Sequence, residues 1–192
     1  MKTEPPQKQA EFLLEEAINH DKGATDLIPK YLESWHGKLT RTERWQNLET
    51  TALYSNDLRV RAAAIEINLI VNNLYKTDET VSHLLEAPGQ DQEYRGWYEW
   101  ELGMLGNRDV ETRKIYEALV AWTHDKDQQT RFWAVEGLAH IGSEETIQIF
   151  IDVLRNDPLM DVRERAGVQL GEIRHAYSRS ADESCPRIAG AD

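Results

Sequence analysis

The feature that most constrains the fold is a segment that recurs along the chain about every 34 residues. RGWYEWELGMLG (95–106) and RFWAVEGLAHIG (131–142) share an arginine, a tryptophan, a leucine and a closing glycine at matching places. VRAAAIEINLIV (60–71) precedes them and DVRERAGVQLGEI (161–173) follows them, each with part of the same pattern. Repetition at this interval predicts stacked units, because each unit can bury its apolar face only against a neighbour.

Each copy of this segment is preceded by a second stretch with helical periodicity. Apolar residues recur at the spacing of one helix face in 42–54, 78–87, 110–122 and 145–154. Two helices per period make a helical hairpin. The sequence therefore predicts about four hairpins between residues 40 and 176.

Short polar stretches and glycines predict where these helices begin and end. TRTE (40–43) and DVRE (161–164) have the spacing of a capping box, in which the first side chain accepts an amide hydrogen bond. Gly106 and Gly142 fall at the end of the second helix of their hairpins, where glycine often adopts a left-handed conformation.

The segments outside the repeats are predicted to differ from them. Residues 1–39 carry two apolar stripes at helical spacing, so we expect two helices that cap the first repeat, with Pro29 in a first turn. Residues 177–192 have no helical period and few apolar side chains, so we expect a disordered tail.

Composition restricts the cellular compartment and the classes of partner that we expect for this chain. The chain has 22 lysines and arginines against 34 aspartates and glutamates, a net charge of −12, which disfavours nucleic acid and anionic membranes as partners. No apolar run approaches the roughly 18 residues of a membrane-spanning helix, and MKTEPPQKQAEF lacks the apolar core of a signal peptide. Cys185 is the only cysteine, so no intrachain disulfide can form. We expect a soluble, cytoplasmic protein.

The recurring segment resembles the second helix of HEAT repeats, in particular the short repeats of bacterial proteins. DVRERAGVQLGEI is most similar, RFWAVEGLAHIG matches well, and RGWYEWELGMLG is bulkier. The first copy has Asn68 or Glu66 where a leucine is expected. The resemblance covers about residues 40–175 and implies an all-α fold, a right-handed α-solenoid of helical hairpins that serves as a scaffold or binding surface.

No motif of a catalytic or metal site is present in the sequence. The six histidines lack the spacings of metal ligands, and there is no phosphate-binding glycine loop or nucleophile signature. We therefore expect no enzymatic activity, no metal and no cofactor.

The recurring arginines allow two interpretations. A row of arginines on successive second helices could bind phosphates, whereas the resemblance to HEAT repeats implies that they tie neighbouring hairpins together through turn aspartates. We favour the structural role. The arginines are Arg61, Arg95, Arg131 and Arg163, and the expected acceptors are Asp57, Asp127 and Asp161.

A stripe on the second helices, away from the expected core positions, combines tryptophans with acidic residues. Tryptophan is enriched where large areas are buried in recognition, and neighbouring glutamates favour a basic or neutral protein or peptide. Alternatively, Trp97 and Trp133 fill the core between repeats. The predicted partner-binding residues are Trp97, Trp100, Glu101, Trp133, Glu136 and His140.

Three functions are compatible with the sequence. A non-catalytic scaffold or adaptor that binds a protein or peptide in a concave groove needs nothing that the sequence lacks. The helical hairpins also resemble HEAT-like DNA glycosylases, although an acidic groove disfavours DNA, and the short repeats of bilin-lyase-type accessory proteins. If Ile149, Phe150 and Leu154 are uncovered on the last hairpin, we expect self-association through it.

Overall fold

The structure, a computed structural model, describes residues 4–87 and 93–184, with the side chains of the last helix described as far as Ile173. These ranges contain ten α-helices and no strand, which confirms the predicted all-α class. The helices are α1 (Pro6–Ile18), α2 (Lys22–Trp35), α3 (Glu43–Leu53), α4 (Leu58–Val71), α5 (Asp78–Glu86), α6 (Arg95–Asn107), α7 (Thr112–Trp122), α8 (Gln128–Ile141), α9 (Thr146–Asn156) and α10 (Met160–Ser184).

Consecutive helices pack as hairpins, and the hairpins stack. The pairs are α1 with α2, α3 with α4, α5 with α6, α7 with α8, and α9 with α10. Their second helices pack on one another in chain order, from α2 on α4 to α8 on α10. The predicted α-solenoid of helical hairpins is therefore confirmed, and the α1–α2 hairpin extends the stack at its N-terminal end. Within the described ranges, none of the helices has the length and apolar character needed to cross a membrane.

Polar caps begin several helices, but two of them differ from the predicted boxes. Thr42, not Thr40, caps α3, because its hydroxyl accepts the amide hydrogen bond of Trp45. Helix α10 begins at Met160, so Asp161 already lies in its first turn. The helix therefore starts two residues earlier than the predicted box allows, at Met160 instead of Val162.

Glycine and proline positions also correct the sequence-based expectation. Gly142 ends α8 with a φ of 69°, as predicted. Gly106 instead lies inside α6, where a Cβ atom would meet the Ile141 side chain at 3.1 Å. Its small size serves packing rather than helix termination. Pro29 lies in the middle of α2 and not in its first turn.

The core follows the predicted helical positions with one polar exception. Large side chains such as Trp35, Trp45 and Phe150 are completely buried, and Leu102 and Leu138 occupy equivalent buried places in α6 and α8. Asn68 holds the same place in α4 and is completely buried as well. A buried amide must be hydrogen-bonded to be tolerated, so Asn68 requires hydrogen-bond partners among its neighbours.

The last hairpin ends differently from the prediction. Helix α10 continues through residues 177–184, where we expected a disordered tail, because no glycine or proline interrupts the chain from Glu172 to Ser184. Residues 185–192 of the predicted tail lie outside the described residues. Phe150 is buried rather than uncovered, whereas Met160 and Val168 are 62 % and 51 % exposed.

Candidate functional site

Two glycines bring α6 and α8 together at backbone distance. A Cβ atom on Gly103 would lie 2.6 Å from Cα of Gly137, and a Cβ atom on Gly137 would lie 2.5 Å from the carbonyl oxygen of Glu99. No side chain fits in such a space, so this contact requires glycine on both helices. The close approach sets the N-terminal parts of α6 and α8, with their tryptophans, side by side.

A pocket with a volume of about 510 Å³ opens beside these tryptophans. Its walls come from the C-terminal end of α3 and from the N-terminal parts of α6, α8 and α10. Half of the lining side chains are aromatic. The pocket is lined by Glu49, Thr50, Leu53, Tyr54, Trp97, Trp100, Phe132, Trp133, Glu136 and Arg165.

The structure brings four of the six predicted partner-binding residues to this pocket, namely Trp97, Trp100, Trp133 and Glu136. The other two, Glu101 and His140, are not among its lining residues. Glu101 is completely buried beside Trp97. His140 packs edge-on against Trp100, with ring centroids 5.6 Å apart. They are therefore placed to support the wall rather than to contact a ligand.

The tryptophans pack between hairpins and also line the pocket. Trp133 lies against Gly96 of α6, where a Cβ atom would come within 2.6 Å of the indole ring. It therefore fills the space between two hairpins, yet it also lines the pocket and keeps part of its surface exposed. Trp97 packs edge-on against Tyr98 at 5.2 Å and is likewise half-buried. Each ring is fixed on one side by packing and open on the other.

One wall of the pocket is a hydrogen-bonded ion pair. Glu136, which is 1 % exposed, forms an ion pair with Arg165 and accepts hydrogen bonds from Gln169 at 3.1 Å and from the Tyr54 hydroxyl at 3.3 Å. Arg165 in turn donates to the Tyr54 hydroxyl at 3.0 Å. A buried carboxylate with this many donors is held in one position, which makes the wall rigid.

Behind the wall, two buried carboxyl groups are linked through two amides. Asn68 donates to Glu49 at 2.6 Å, Asn72 donates to Glu101 at 2.6 Å, and the Asn72 amide also lies 3.1 Å from the Asn68 oxygen. Burial raises the pKa of Glu49 and raises that of Glu101 well above its ordinary value. Burial therefore disfavours the charged form of both carboxyl groups, and a nearby cation would favour it.

Two further titratable groups are shifted by burial. Desolvation raises the pKa of Glu99 to about 8, although Arg95 at 3.1 Å acts in the opposite direction. The pKa of His140 is lowered to about 4, first by burial and then by the positive charge of Arg61. The His140 Nε2 atom is buried and has no hydrogen-bond partner among the described residues. His140 is thus a neutral packing residue at neutral pH.

The described residues contain no group of three or more histidine, cysteine, aspartate or glutamate side chains that could hold a metal ion. The pocket itself offers aromatic faces, two carboxyl groups and one guanidinium group. Such a set can bind and orient a side chain.

Comparison with protein families finds a match for the second part of the chain. Residues 77–171 match the family model described as HEAT repeats. These residues belong to the HEAT repeat family. The match covers α5 and most of the helices that follow, and it does not reach the α3–α4 hairpin, where Asn68 replaces the expected leucine. No match was found among curated proteins.

Two of the recurring arginines, Arg95 and Arg131, tie neighbouring hairpins together, but through acceptors other than those predicted. Arg95 on α6 lies 3.2 Å from Asp125, and Arg131 on α8 lies 2.7 Å from Asp157. Each acceptor is in the turn of the next hairpin. Arg163 donates to the carbonyl oxygen of Asp157 at 2.7 Å.

The aspartates predicted as acceptors have local roles instead. Asp57 accepts the amide hydrogen bond of Arg59 at the start of α4, and Asp127 accepts that of Thr130 at the start of α8. A carboxylate directly before a helix is closest to the free amides of that helix, which explains why these aspartates cap rather than bridge. Asp161 lies in the first turn of α10, past the turn.

Arg61 departs most from the predicted row of arginines. Its Nη2 atom lies 3.0 Å from Glu172 on α10, so the α3–α4 hairpin reaches the last described hairpin. The contact between Arg165 and Tyr54 joins the same two hairpins. The inner side of the stack is therefore bridged, and what remains open is a pocket rather than a long groove.

The prediction missed the α3 side of the pocket. Glu49, Leu53 and Tyr54 come from a first helix and its end, whereas the predicted site was taken from the second helices alone. Phe132 and Arg165 were not selected either. Tyr54 directly follows α3 and precedes the polar stretch 55–57, and a tyrosine beside a turn was a signal available in the sequence.

Proposed function

We propose that this HEAT-repeat chain is a non-catalytic scaffold that binds a protein or peptide segment in the aromatic pocket between α3, α6, α8 and α10. The observation that carries this proposal is the pocket itself, in which partly exposed aromatic rings stand on a rigid support. The same proposal assigns the scaffold to the cytoplasm, in keeping with a single cysteine in the sequence.

The size and chemistry of the pocket favour a peptide segment as the occupant. A volume of about 510 Å³ accommodates one or two large side chains with part of their backbone. Tryptophan and tyrosine supply large contact areas at a small entropic cost, and such residues dominate the binding energy of many interfaces.

The charges in and around the pocket do not favour DNA. Two carboxyl groups and one guanidinium group line it, and the chain as a whole carries a net charge of −12. Phosphate backbones require a basic surface. No observation on the pocket favours the DNA glycosylase or the bilin-lyase-type alternative.

A selection from a phage-displayed random peptide library tests the proposal. We expect enriched peptides to bind the wild-type protein and to lose more than about tenfold in affinity against Trp100→Ala, since a buried tryptophan anchor contributes about 2 kcal/mol or more. Fluorescence anisotropy with labelled synthetic peptides measures the loss.

Trp122→Ala is the matched control, because Trp122 is also half-buried but lies outside the pocket, next to Arg95. Circular dichroism checks that both variants fold. Enriched peptides that bind wild type and Trp100→Ala equally would show that recognition takes place elsewhere on the chain.

A further inference from the structure

We propose that the aromatic pocket recognises an arginine side chain of the bound segment, with the guanidinium held between the aromatic walls and the Glu49 carboxylate. This inference rests on the proposed function and specifies the chemistry of its partner.

The first support is that the pocket wall already holds a guanidinium group. The guanidinium carbon of Arg165 lies 5.9 Å from the centroid of the Tyr54 ring and 5.8 Å from that of Phe132. Both distances are within the range of cation–π attraction. The aromatic surface of this pocket is thus compatible with a guanidinium group, and three tryptophans in the same pocket present further faces.

The second support is a carboxyl group of the pocket, that of Glu49, which has no cation at ion-pair distance within the described ranges. The charge of Arg165 is matched by Glu136, with which it pairs directly. Glu49 also lines the pocket and is 6 % exposed, but no cation lies within 4 Å of its carboxylate among the described residues. Exposed Arg41 favours its charged form only from a greater distance. A positively charged ligand would complete this pair.

The third support lies directly behind the wall. The Oε2 atom of Glu101 is buried and has no hydrogen-bond partner in the described part of the chain. Glu101 is next to Trp97, which lines the pocket, and its carboxyl group is linked to Glu49 through Asn72 and Asn68. The pocket therefore lies over two buried carboxyl groups that form no ion pair among the described residues and that Arg41 affects only from a distance, and a guanidinium ion entering the pocket would stabilise both in their charged forms.

Arginine fits this site better than lysine. The guanidinium group is planar and more weakly hydrated than an ammonium group, so it stacks on aromatic faces at a lower desolvation cost. It also presents several donors to a carboxylate at once, whereas ammonium acts as a strongly hydrated point charge.

Three capped tripeptides test the inference on the wild-type protein: acetyl-Ala-Arg-Ala-amide and its counterparts with citrulline or lysine in the middle. Citrulline keeps the shape of arginine without its charge. We expect the arginine peptide to shift the indole N–H signals of Trp97, Trp100 and Trp133 in NMR titrations, with an affinity about tenfold above that of the citrulline peptide. The lysine peptide should bind more weakly than the arginine peptide.

Glu49→Gln should reduce the affinity for the arginine peptide by about tenfold and leave that for the citrulline peptide unchanged. Glu86→Gln, which removes the same charge from an exposed position on α5, should affect neither. Equal affinity for arginine and citrulline, equal affinity for arginine and lysine, or no saturable shift with any of the three peptides overturns the inference.

The two proposals can fail separately. If the peptide library yields segments that depend on Trp100 but contain no arginine, the pocket binds peptides and the inference about arginine is wrong. If no enriched peptide depends on Trp100, the proposed function fails, whatever the tripeptides show.

Discussion

The junction between α6 and α8 and the junction between α4 and α6 are built in opposite ways. At the first, Gly103 and Gly137 allow backbone contact, and buried Leu102 and Leu138 occupy the repeat positions around it. This pair of helices forms the most extensive contact in the described structure. At the second, the contact is smaller and includes a hydrogen bond from Asn72 to Glu101.

The difference shows what one substitution within a repeat can change. Where leucine stands at the repeat position, dispersion and close packing hold the hairpins together. Where Asn68 stands there, buried carboxyl groups become tolerable because the amides satisfy them. The polar junction adjoins the pocket, whereas the apolar junction fixes the tryptophans that line it.

The largest expected effect comes from closing the backbone contact. Gly103→Ala places a methyl group against the backbone of Gly137, which cannot move aside as a flexible side chain would. We expect a loss of about 3 kcal/mol in the free energy of unfolding, measured by urea denaturation. Gly171→Ala on α10 is the control, because nothing lies within 4 Å of the added carbon. It should stabilise the protein by up to about 1 kcal/mol through helix propensity. Equal effects of the two substitutions would contradict the close contact.

The polar junction should respond to restoration of the repeat leucine. Asn68→Leu removes the donor to buried Glu49, and we expect a loss of about 2 kcal/mol in urea denaturation, because an unsatisfied buried group costs its full desolvation. Asn68→Leu combined with Glu49→Leu should recover much of this loss, since replacing both partners by apolar groups is far less costly. A single Asn68→Leu variant more stable than wild type would show that the polar junction is not needed for the fold.

A smaller effect is expected from pH. Folded Glu99 keeps its proton up to about pH 8, whereas the unfolded chain loses it near pH 4.5, so the folded state binds more protons between these values. Stability therefore falls as the pH rises through this window. From pH 6.5 to pH 8 we expect Glu99 to contribute a decrease of about 1.5 kcal/mol, so the decrease should be smaller by about this amount in Glu99→Gln than in the wild type. An equal dependence of stability on pH in the wild type and in Glu99→Gln would contradict the raised pKa of folded Glu99.

The smallest effect concerns the outer face of the last hairpin. We propose weak self-association through exposed Leu154, Met160 and Val168, seen as concentration-dependent sedimentation. Val168→Glu should abolish it, and Leu58→Glu, at a similarly exposed leucine on α4, should not. Sedimentation as a monomer at every concentration would mean that this face remains uncovered.

The fold was predictable because its signals are local and repeated. The period, the paired helices and the left-handed Gly142 follow from short stretches of sequence. Four of the ten residues that line the pocket were predictable for the same reason, since Trp97, Trp100, Trp133 and Glu136 recur on one helix face. The α3 contribution was not, because Tyr54 meets Glu136 only through the arrangement of several hairpins.

The sequence by itself determined that this chain stacks helical hairpins, since periodic apolar faces can be buried in no other way. Only the tertiary structure decided which charges meet. Arg61 reaches Glu172, and Asp157 rather than Asp161 receives Arg131. Each junction contributes a small rotation set by its packing, such as the glycine contact of α6 with α8, and these rotations add along the stack. Their sum brings the α3–α4 hairpin against α10 and forms the pocket, and no single repeat encodes it.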